Sequence, residues 1–463
     1  MELTYVLINF LILLPTRILK RLFKRLLTLM SSAPLQLLSW LPPSVLRKTA
    51  SSQVKHTATG CPISQDCGLP RRCLCLVNLP LEILTEIVRE LSWPDILRLR
   101  QTCTHFANIT KTLPVWRAVA HAELSGNSSC TPQLSLERPL NAHSADELER
   151  IILRWKSAEV GWSKDDPSPA RERRLKMSDV ESIHLIKGGR WLLVSTRTGS
   201  VVFYDLDEEE PARKVLIPTV SEPAGTIMSV DIDQSSPTLT FHLALGTAKY
   251  RSDTSKEYVV EVWRVCLVDT AESRLSTLSA KLSASFRPEP QSQVTKLSIL
   301  GDFVAFCLDL RPASSFYTIV VKWTDLGEVP SSYPRWLKHT YIFHFDGVQL
   351  LPQHQVLLRQ GHHVRLFDFF SFWHSPPLPS NLLVADVEPL WEVEIGPMLG
   401  RFLPEPVIYG DCARLVIATK IALFGLTIPH PSTRIASDPP GRLVKLCDIP
   451  RGISLAPSNT AWT

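Results

Sequence analysis

The sequence predicts a multidomain α+β protein, with a helical N-terminal region followed by an all-β region. Apolar residues recur at helical spacing between about residues 79 and 155, and they alternate at strand spacing from about residue 179 onward. A chain of 463 residues, 44% of them hydrophobic, is long enough for two or three cores. The predicted segments are 1–35 (apolar, then basic and amphipathic), 36–73 (linker), 74–117 (three short helices), 118–162 (helical arm), 163–178 (charged linker) and 179–463 (β domain).

The first predicted helix begins near Leu79. Pro80 suits the first helical turn, where the N–H that proline lacks would be unpaired anyway, and Glu82 suits the positive end of the helix dipole. The apolar residues that follow recur every three or four positions and form one helical face. They are Ile83, Leu84, Ile87, Val88 and Leu91.

Two capping boxes predict the starts of later helices. Ser92 and Asp95 open a short second helix, and a third helix through Phe106 is expected to stop before Pro114. A further helix is expected from Val115 to Leu124. Ser144 and Glu147 form the second box, whose helix is expected to end before Gly161.

The segment 74–117 resembles an F-box. Its apolar residues stand at the separations of that family: Leu79, Pro80, Ile83, Leu84, Ile87, Leu91, Leu97, Leu99, Cys103, Phe106 and Trp116. The resemblance implies that these residues bind the Skp-type adaptor of a cullin-based ubiquitin ligase, and it implies no active site. Cys103 is expected to be a small buried hydrophobe. The hydrophobic pattern by itself fits an ordinary helical subdomain as well.

The C-terminal half repeats a strand, turn and strand pattern. Residues 191–196 and 201–206 alternate around Thr198-Gly199-Ser200 and end in an aromatic-Asp pair, which resembles one blade of a WD-type β-propeller. Four weaker copies follow at intervals of about 45 to 60 residues. Regular Gly-His and Trp-Asp dipeptides are missing, residues 438–463 are weakly patterned, and the closing blade is expected to be incomplete or irregular. A β-sandwich is the alternative fold.

An F-box ahead of propeller-like repeats resembles the substrate receptors of ubiquitin ligases, most closely the large fungal families of F-box proteins. This resemblance implies a protein target bound by the β domain. Trp336 and Trp373 are the candidate target-binding residues, because they stand beside Pro-rich loops and Trp is enriched at binding hot spots.

The sequence offers no catalytic or metal motif. It contains no phosphate-binding glycine loop, nucleophile elbow or zinc-protease motif, so no enzyme activity and no cofactor are predicted. His362-His363 is read as a turn, and Cys61, Cys67, Cys73 and Cys75 as part of a linker in a reducing compartment, because neither set has metal-site spacing.

The positive charge of the chain is concentrated at its N-terminus. Residues 1–65 hold eight Lys or Arg and one acid, a net charge of +7, whereas the whole chain carries +5. Residues 66–463 therefore carry −2, too little positive charge for a surface that neutralises several phosphates. Nucleic acid is not an expected partner.

Residues 1–35 allow several interpretations. The apolar run Leu3–Leu14 is too short to cross a bilayer, and from Arg17 onward basic and apolar residues lie on opposite sides of a predicted helix. An anionic membrane surface is one expected partner of this segment. A mitochondrial presequence and a poorly ordered extension are the alternatives. The expected localisation is cytoplasmic or nuclear, with peripheral membrane association if the segment binds lipid.

Three functional hypotheses follow. The first is a substrate receptor of a cullin-based ubiquitin ligase. The second is an F-box scaffold or membrane-tethered interaction module that acts outside any ligase. The third is an enzyme with a site in the propeller channel, which no motif in the sequence favours.

The first testable prediction concerns residues 1–35. If they form a surface-bound amphipathic helix, the chain will sediment with liposomes that contain anionic lipid, and binding will fall as salt rises. Each Lys or Arg contributes only about 1 kcal/mol at such a surface and is screened by ions. Salt-independent partition into neutral vesicles would indicate insertion instead, and no sedimentation would indicate an extension without lipid affinity.

Overall fold

The computed structural model describes residues 76–125, 134–162, 174–175, 177, 179–219, 223–250, 256–269, 276–288, 292–310, 315–326, 335–340, 345–370, 388–395, 406–409, 411–419, 422–433 and 439–448. The predicted lipid-binding segment 1–35, the linker 36–73 and its four cysteines lie outside these residues. The chain divides into two compact units. The helical unit comprises residues up to Glu123 together with Ser144–Lys156, and the β unit comprises Leu124–His143 together with Ser157 onward. The predicted arm 118–162 is thus shared between the two units.

Five α-helices form the helical part of the described chain. They are α1 (Leu81–Arg89), α2 (Trp93–Arg100), α3 (Thr104–Ile109), α4 (Leu113–Leu124) and α5 (Ala145–Trp162). Short 3-10 turns precede α1 at Leu76–Asn78 and α5 at Leu140–Ala142, and a third lies at Trp323–Asp325. No helix among the described residues is both long and apolar enough to cross a membrane.

The helix starts follow the capping residues, with one difference in detail. Ser144 and Glu147 form a full capping box, since the Ser144 N–H donates to the Glu147 carboxylate at 2.8 Å and the Glu147 N–H donates to the Ser144 hydroxyl at 3.3 Å. Ser92 is the N-cap of α2, but its hydroxyl donates to the Asp95 carboxylate at 2.6 Å instead of capping a backbone amide. Pro80 is the N-cap of α1 and not its first-turn residue.

The prediction that the last helix ends before Gly161 is wrong, because α5 continues to Trp162. A glycine inside a helix costs only about 1 kcal/mol, which hydrogen bonds of the surrounding helix offset.

Within its described residues the β unit has twenty strands in five antiparallel four-stranded sheets, each in simple sequential order. Sheet 1 has β1 (Val180–Leu185), β2 (Trp191–Thr196), β3 (Val201–Asp205) and β4 (Lys214–Ile217). Sheet 2 has β5 (Pro223–Ile232), β6 (Thr240–Tyr250), β7 (Lys256–Asp269) and β8 (Ser276–Phe286). Sheet 3 has β9 (Ser292–Leu300), β10 (Phe303–Leu310), β11 (Ser315–Lys322) and β12 (Arg335–Thr340).

Sheet 4 has β13 (Phe345–Leu351), β14 (Gln355–Gln360), β15 (His363–Asp368) and β16 (Trp391–Glu394). Sheet 5 has β17 (Val407–Ile408), β18 (Cys412–Ala418), β19 (Ala422–Pro429) and β20 (Arg442–Asp448). The weakly patterned end of the chain supplies the fourth strand of sheet 5, which therefore has four strands within the described residues. This sheet is irregular, because β17 has only two residues and the pairing of β19 with β20 shifts register between Leu423 and Phe424. Alternation was hard to read there because almost every residue of β20 is exposed.

Each sheet packs face to face on the next one along the chain. Sheets 1 and 2 share a core around Trp191 and Phe241, sheets 2 and 3 one around Phe286 and Phe306, sheets 3 and 4 one that includes Phe367, and sheets 4 and 5 one that includes Leu366. The first strands lie in sequence, with β1 against β5, β5 against β9 and β9 against β13. This sequential stacking of four-stranded meanders is the arrangement of a β-propeller.

Hydrogen bonds between first strands hold neighbouring sheets in register. The hydroxyl of Ser229 in β5 accepts from the Ile299 N–H of β9 at 3.2 Å. The hydroxyl of Ser298 in β9 accepts from the Leu350 N–H of β13 at 3.0 Å. Because these groups are polar and lie where two sheets meet, their bonds specify one lateral position of each sheet on the next.

The stretch 134–139 is hydrogen-bonded to residues of sheets 1 and 2. The Arg190 guanidinium donates to the Glu137 carboxylate at 2.7 Å, and the Glu137 carbonyl accepts from the Leu239 N–H at 2.7 Å. Arg190 also forms a two-point ion pair with the buried Asp205 at 3.0 and 2.8 Å. Burial, the largest single cause, acts to raise the pKa of Asp205. The hydrogen bonds from Arg190 and the Asp207 N–H, together with the charges of Arg190 and Lys214, outweigh it and hold that pKa below its usual value.

We expect Arg190→Ala to lower the free energy of unfolding of the β unit by about 2 to 4 kcal/mol, since it leaves a buried carboxylate without its counterion. Arg197→Ala, which removes an exposed arginine 3.6 Å from Glu181, is the matched control and should cost about 0.5 kcal/mol or less. Urea titration of the full-length variants measures both.

The same comparison has a predicted pH dependence. Because the folded-state pKa of Asp205 is depressed, its ion pair contributes fully above the unfolded pKa of about 4 and is lost as pH falls through the folded value. The stability difference between wild type and Arg190→Ala should therefore shrink between pH 7 and pH 3. A difference that stays constant over this range would mean that the pair contributes nothing.

Candidate functional site

The helical unit has a small core that orients its surface residues. The buried side chains come from all five helices: Leu84, Ile87, Val88, Ile96, Phe106, Ile109, Val115, Trp116, Val119, Ala120, Leu148 and Ile152. Trp116 is the largest of them and is fully buried. Once these residues are inside, any remaining apolar side chain of α1 must face outward.

Apolar side chains are exposed at the start of α1 and in the turn before it. Leu81 is 54% exposed, Ile83 39% and Leu76 36%, and Pro80 is exposed as well. Leu84, Ile87 and Val88 of the same helix are buried. We call the outward set Leu76, Leu79, Pro80, Leu81 and Ile83 the apolar surface; Leu79 is its only half-buried member. A cluster of this kind on a small module is typical of a protein-binding site.

The second helix adds half-buried apolar residues to the module. Leu91, which follows α1, and Leu97 and Leu99 of α2 are partly accessible, whereas Ile96 is fully buried. Cys103 is exposed, so the prediction of a buried position is wrong. Cys103 is exposed because it is the N-cap of α3. A residue at a helix end, where the chain turns from one helix to the next, lies at the edge of the core.

The eleven residues predicted to bind an adaptor therefore occupy two kinds of position. Seven are at least partly accessible: Leu79, Pro80, Ile83, Leu91, Leu97, Leu99 and Cys103. Four are buried: Leu84, Ile87, Phe106 and Trp116. The buried four support the fold of the module in this structure, and their binding role stays a prediction.

Arg100 joins three helices of the unit. Its guanidinium donates two hydrogen bonds to the Glu149 carboxylate of α5, at 2.5 and 2.9 Å. It also donates to the hydroxyl and to the carbonyl of Thr110, both at 3.2 Å, and lies 5.8 Å from the ring centre of Trp116. Both charged side chains are less than 20% exposed, so this network ties α2, the end of α3 and α5 together in a partly dry environment.

Ion pairs within single helices lie on α1 and α2. Glu86 pairs with Arg89 at 2.6 Å and Asp95 with Arg98 at 2.9 Å, each between neighbouring turns of one helix. Exposed pairs of this type contribute about 0.3 to 0.5 kcal/mol, so they affect solubility and orientation more than stability.

The predicted target-binding tryptophans are only partly placed. Trp336 lies in β12, opposite Val320 of β11, and nothing is described of its side chain. Trp373 lies outside the described residues. His363 starts β15 with its ring 2.8 Å from the Glu392 carboxylate, and in the described parts of the chain no three His, Cys, Asp or Glu side chains are grouped to hold a metal ion.

Sequence reasoning missed Leu76, Leu81 and Arg100. The exposure of Leu81 had no signal in the spacing, because a residue three positions before the buried Leu84 is expected on the same helical face. The role of Arg100 had no local signal, since its partner Glu149 is 49 residues away along the chain.

Comparison with known proteins identifies the helical module. Residues 76–121 match the family model described as F-box-like. The chain therefore carries an F-box-like module, and the sheets of the β unit make its C-terminal half propeller-like. No curated protein sequence matches the chain.

Several solved β-structures are similar to the β unit at low identity. The β-propeller domain of Cps50 (Swd1) from Myceliophteria thermophila is 12% identical, with 58% of this chain and 72% of that one covered and a TM-score of 0.35. The WD40 domain of SCAP from fission yeast is 8% identical, with 54% and 52% covered and a TM-score of 0.30. U3-55K is 11% identical, with 60% and 83% covered and a TM-score of 0.29. At such scores the propeller assignment rests on the sheet order alone.

The Arg100 network generates a stability prediction. Arg100→Ala should destabilise the helical unit by about 2 to 3 kcal/mol, because Glu149 and Thr110 lose their donor in a partly buried site. Arg100→Lys should recover little of this, since an ammonium cannot make the two-point contact. Amide hydrogen exchange of α2, α4 and α5 in the full chain measures the effect.

Arg98→Ala is the matched control, because Arg98 is 63% exposed and pairs only within its own helix. It should change exchange rates little. Equal protection in the Arg100→Ala and Arg98→Ala variants would contradict the proposed network.

Proposed function

We propose that the chain is a substrate receptor of a cullin-based ubiquitin ligase, which binds a Skp-type adaptor through its F-box-like module and a protein target through its β unit. The observation that carries this proposal is the apolar surface at the start of α1, which lies within the residues that match the F-box-like family. Through the adaptor the chain would reach the cullin.

The size of the module supports an adaptor as the occupant of this surface. Fewer than 60 residues cannot enclose all of their apolar side chains, and those left outside are stabilised by a partner. Covering one large aliphatic side chain that is about half exposed contributes about 1 kcal/mol, so several together supply a substantial part of a micromolar affinity.

The β unit supports target binding by its construction. Five sheets with shared cores form a rigid framework, and the connecting loops gather at the two ends of the strands. Loops on a rigid scaffold are the usual location of binding residues. F-box and propeller families are in general interaction modules, and we propose no catalytic role for the chain. We also propose a cytoplasmic or nuclear location.

The second candidate is an F-box scaffold that works outside a ligase, tethered to a membrane by residues 1–35. The basic and amphipathic character of that segment favours it. Co-purification separates the candidates, because a receptor retains both adaptor and cullin, whereas a scaffold retains the adaptor without a cullin.

The adaptor proposal is tested by the double variant Leu81→Arg and Ile83→Arg. Both residues face solvent, so the fold should tolerate the change, while two unpaired charges in an apolar interface should weaken adaptor binding by at least a hundredfold. Pull-down and titration of the purified adaptor give the measurement.

Val215→Arg is the matched control, because Val215 is an apolar residue of β4 that is 60% exposed. It should bind the adaptor like wild type. If the double variant captures the adaptor as well as wild type does, the apolar surface is not the adaptor-binding site.

A further inference from the structure

A cleft lies between sheets 3 and 4. It is at the end of the sheets that carries the β9–β10 turn and the β13–β14 turn. It has a volume of about 310 Å³, which is enough for one long side chain. Its apolar lining includes Leu300, Phe303, Leu350 and Phe369. The rim is formed by the β9–β10 turn, with Gly301 and Asp302, and by the β13–β14 turn, with Gln353 and His354.

Aromatic rings make up one wall of this cleft. The His354 ring lies edge-on to Phe303 and Phe369, with ring centres 5.4 and 5.8 Å apart, and it stacks on Phe370 at 4.4 Å. Phe370 is 42% exposed. Aromatic faces attract cations as well as apolar groups, because the ring carries negative charge density above its plane.

Both rim turns are held in defined positions. Gly301 has a φ of +54°, its N–H donates to the Asp231 carboxylate at 2.6 Å, and its carbonyl accepts from the Trp323 indole at 2.9 Å. On the other rim Gln353 and His354 both have a φ of +60°, and the Gln353 amide contacts the His430 ring at 2.9 Å. Two successive non-glycine residues in the left-handed conformation are strained, and strained backbone of this kind is found most often at functional sites.

The rim carries the exposed carboxylate of Asp302. The charge of this carboxylate also acts on Lys322 and His242. The nearby Lys322 is held by Asp325 at 2.8 and 3.0 Å. The buried Asp231 carboxylate accepts the Gly301 N–H next to Asp302, and burial is the main reason why the pKa of Asp231 is raised to about 6.

We propose that this cleft accepts a Lys or Arg side chain from an extended segment of the bound target, which rests on the proposed role of the β unit as the target-binding part. The apolar lining receives the methylene stem, the His354 ring lies against the cationic group, and Asp302 on the rim pairs with it. Acidic side chains are repelled by Asp302, and purely apolar side chains gain no contact with its charge.

The test uses the full chain and small probes. The probes are Nα-acetyl-arginine methylamide and the corresponding lysine, norleucine and glutamate compounds. Each probe is titrated at millimolar concentration, and its binding is followed by saturation-transfer NMR. We expect the arginine and lysine probes to bind, the norleucine probe to bind about three- to fivefold more weakly, and the glutamate probe to give no signal. Arginine binding should weaken as salt rises.

Asp302→Asn should weaken the arginine probe about three- to fivefold and leave the norleucine probe unchanged. Glu181→Gln is the matched control, because it removes one negative charge from β1 at the opposite end of the strands and should change neither probe. Equal binding of arginine and norleucine, equal effects of the two variants, or no binding of any probe would each overturn the proposal.

This result is independent of the adaptor assay. If the chain binds the arginine probe but does not capture the adaptor, the ligase proposal is wrong and the proposed cleft function stands. If the chain captures the adaptor but does not bind the arginine probe, the cleft proposal is wrong and the ligase proposal stands.

Discussion

A four-stranded sheet with apolar side chains on both faces is stable only if another sheet covers each face, and the β unit is organised by this constraint. Every residue of β3 and of β14 is buried, so both faces of these inner strands are covered. Each core in the series draws on two sheets that are consecutive in the chain. The hydrogen bonds from Ser229 and Ser298 then fix the lateral position of a sheet on the next one, which the non-directional hydrophobic contact does not.

The helical unit satisfies the same requirement in a different way. Its helices are short and surround one core at Trp116, and Arg100 supplies directional contacts between three of its elements. The module is too small to cover the outward face of α1, so Leu81 and Ile83 remain in contact with water. A module that cannot bury all of its apolar side chains is stabilised by a partner that covers them. The small size of the module is therefore consistent with its proposed role in binding.

The two proposed binding surfaces differ in chemistry. The apolar surface at the start of α1 consists of exposed aliphatic side chains and suits a broad protein contact. The cleft between sheets 3 and 4 is concave and aromatic with a carboxylate on its rim, and suits one side chain at a time. The first surface would provide affinity through area, and the second would select among sequences through charge.

Much of the architecture could be predicted from local sequence. The α1 periodicity, the Ser144 capping box and the strand pattern at residues 191–206 each depend on residues a few positions apart, and all three appear in the structure. Local reasoning failed where exposure removed the pattern, as in β20, and where the cost of a breaker was small, as at Gly161. It also placed Cys103 in the core, because family-like spacing does not tell which side of a helix start faces inward.

The sequence by itself determined the succession of a helical and a β region, the presence of repeated strand patterns and the F-box-like segment, because each of these depends on spacing along the chain. Only the tertiary structure decided which apolar residues stay exposed, since this depends on how the helices pack around the buried Ile96 and Trp116. The partnership of Arg100 with Glu149 and the meeting of Asp302 with His354 across two sheets were decided there as well. These contacts join residues about 50 positions apart, and chain folding, not local propensity, brings such residues together.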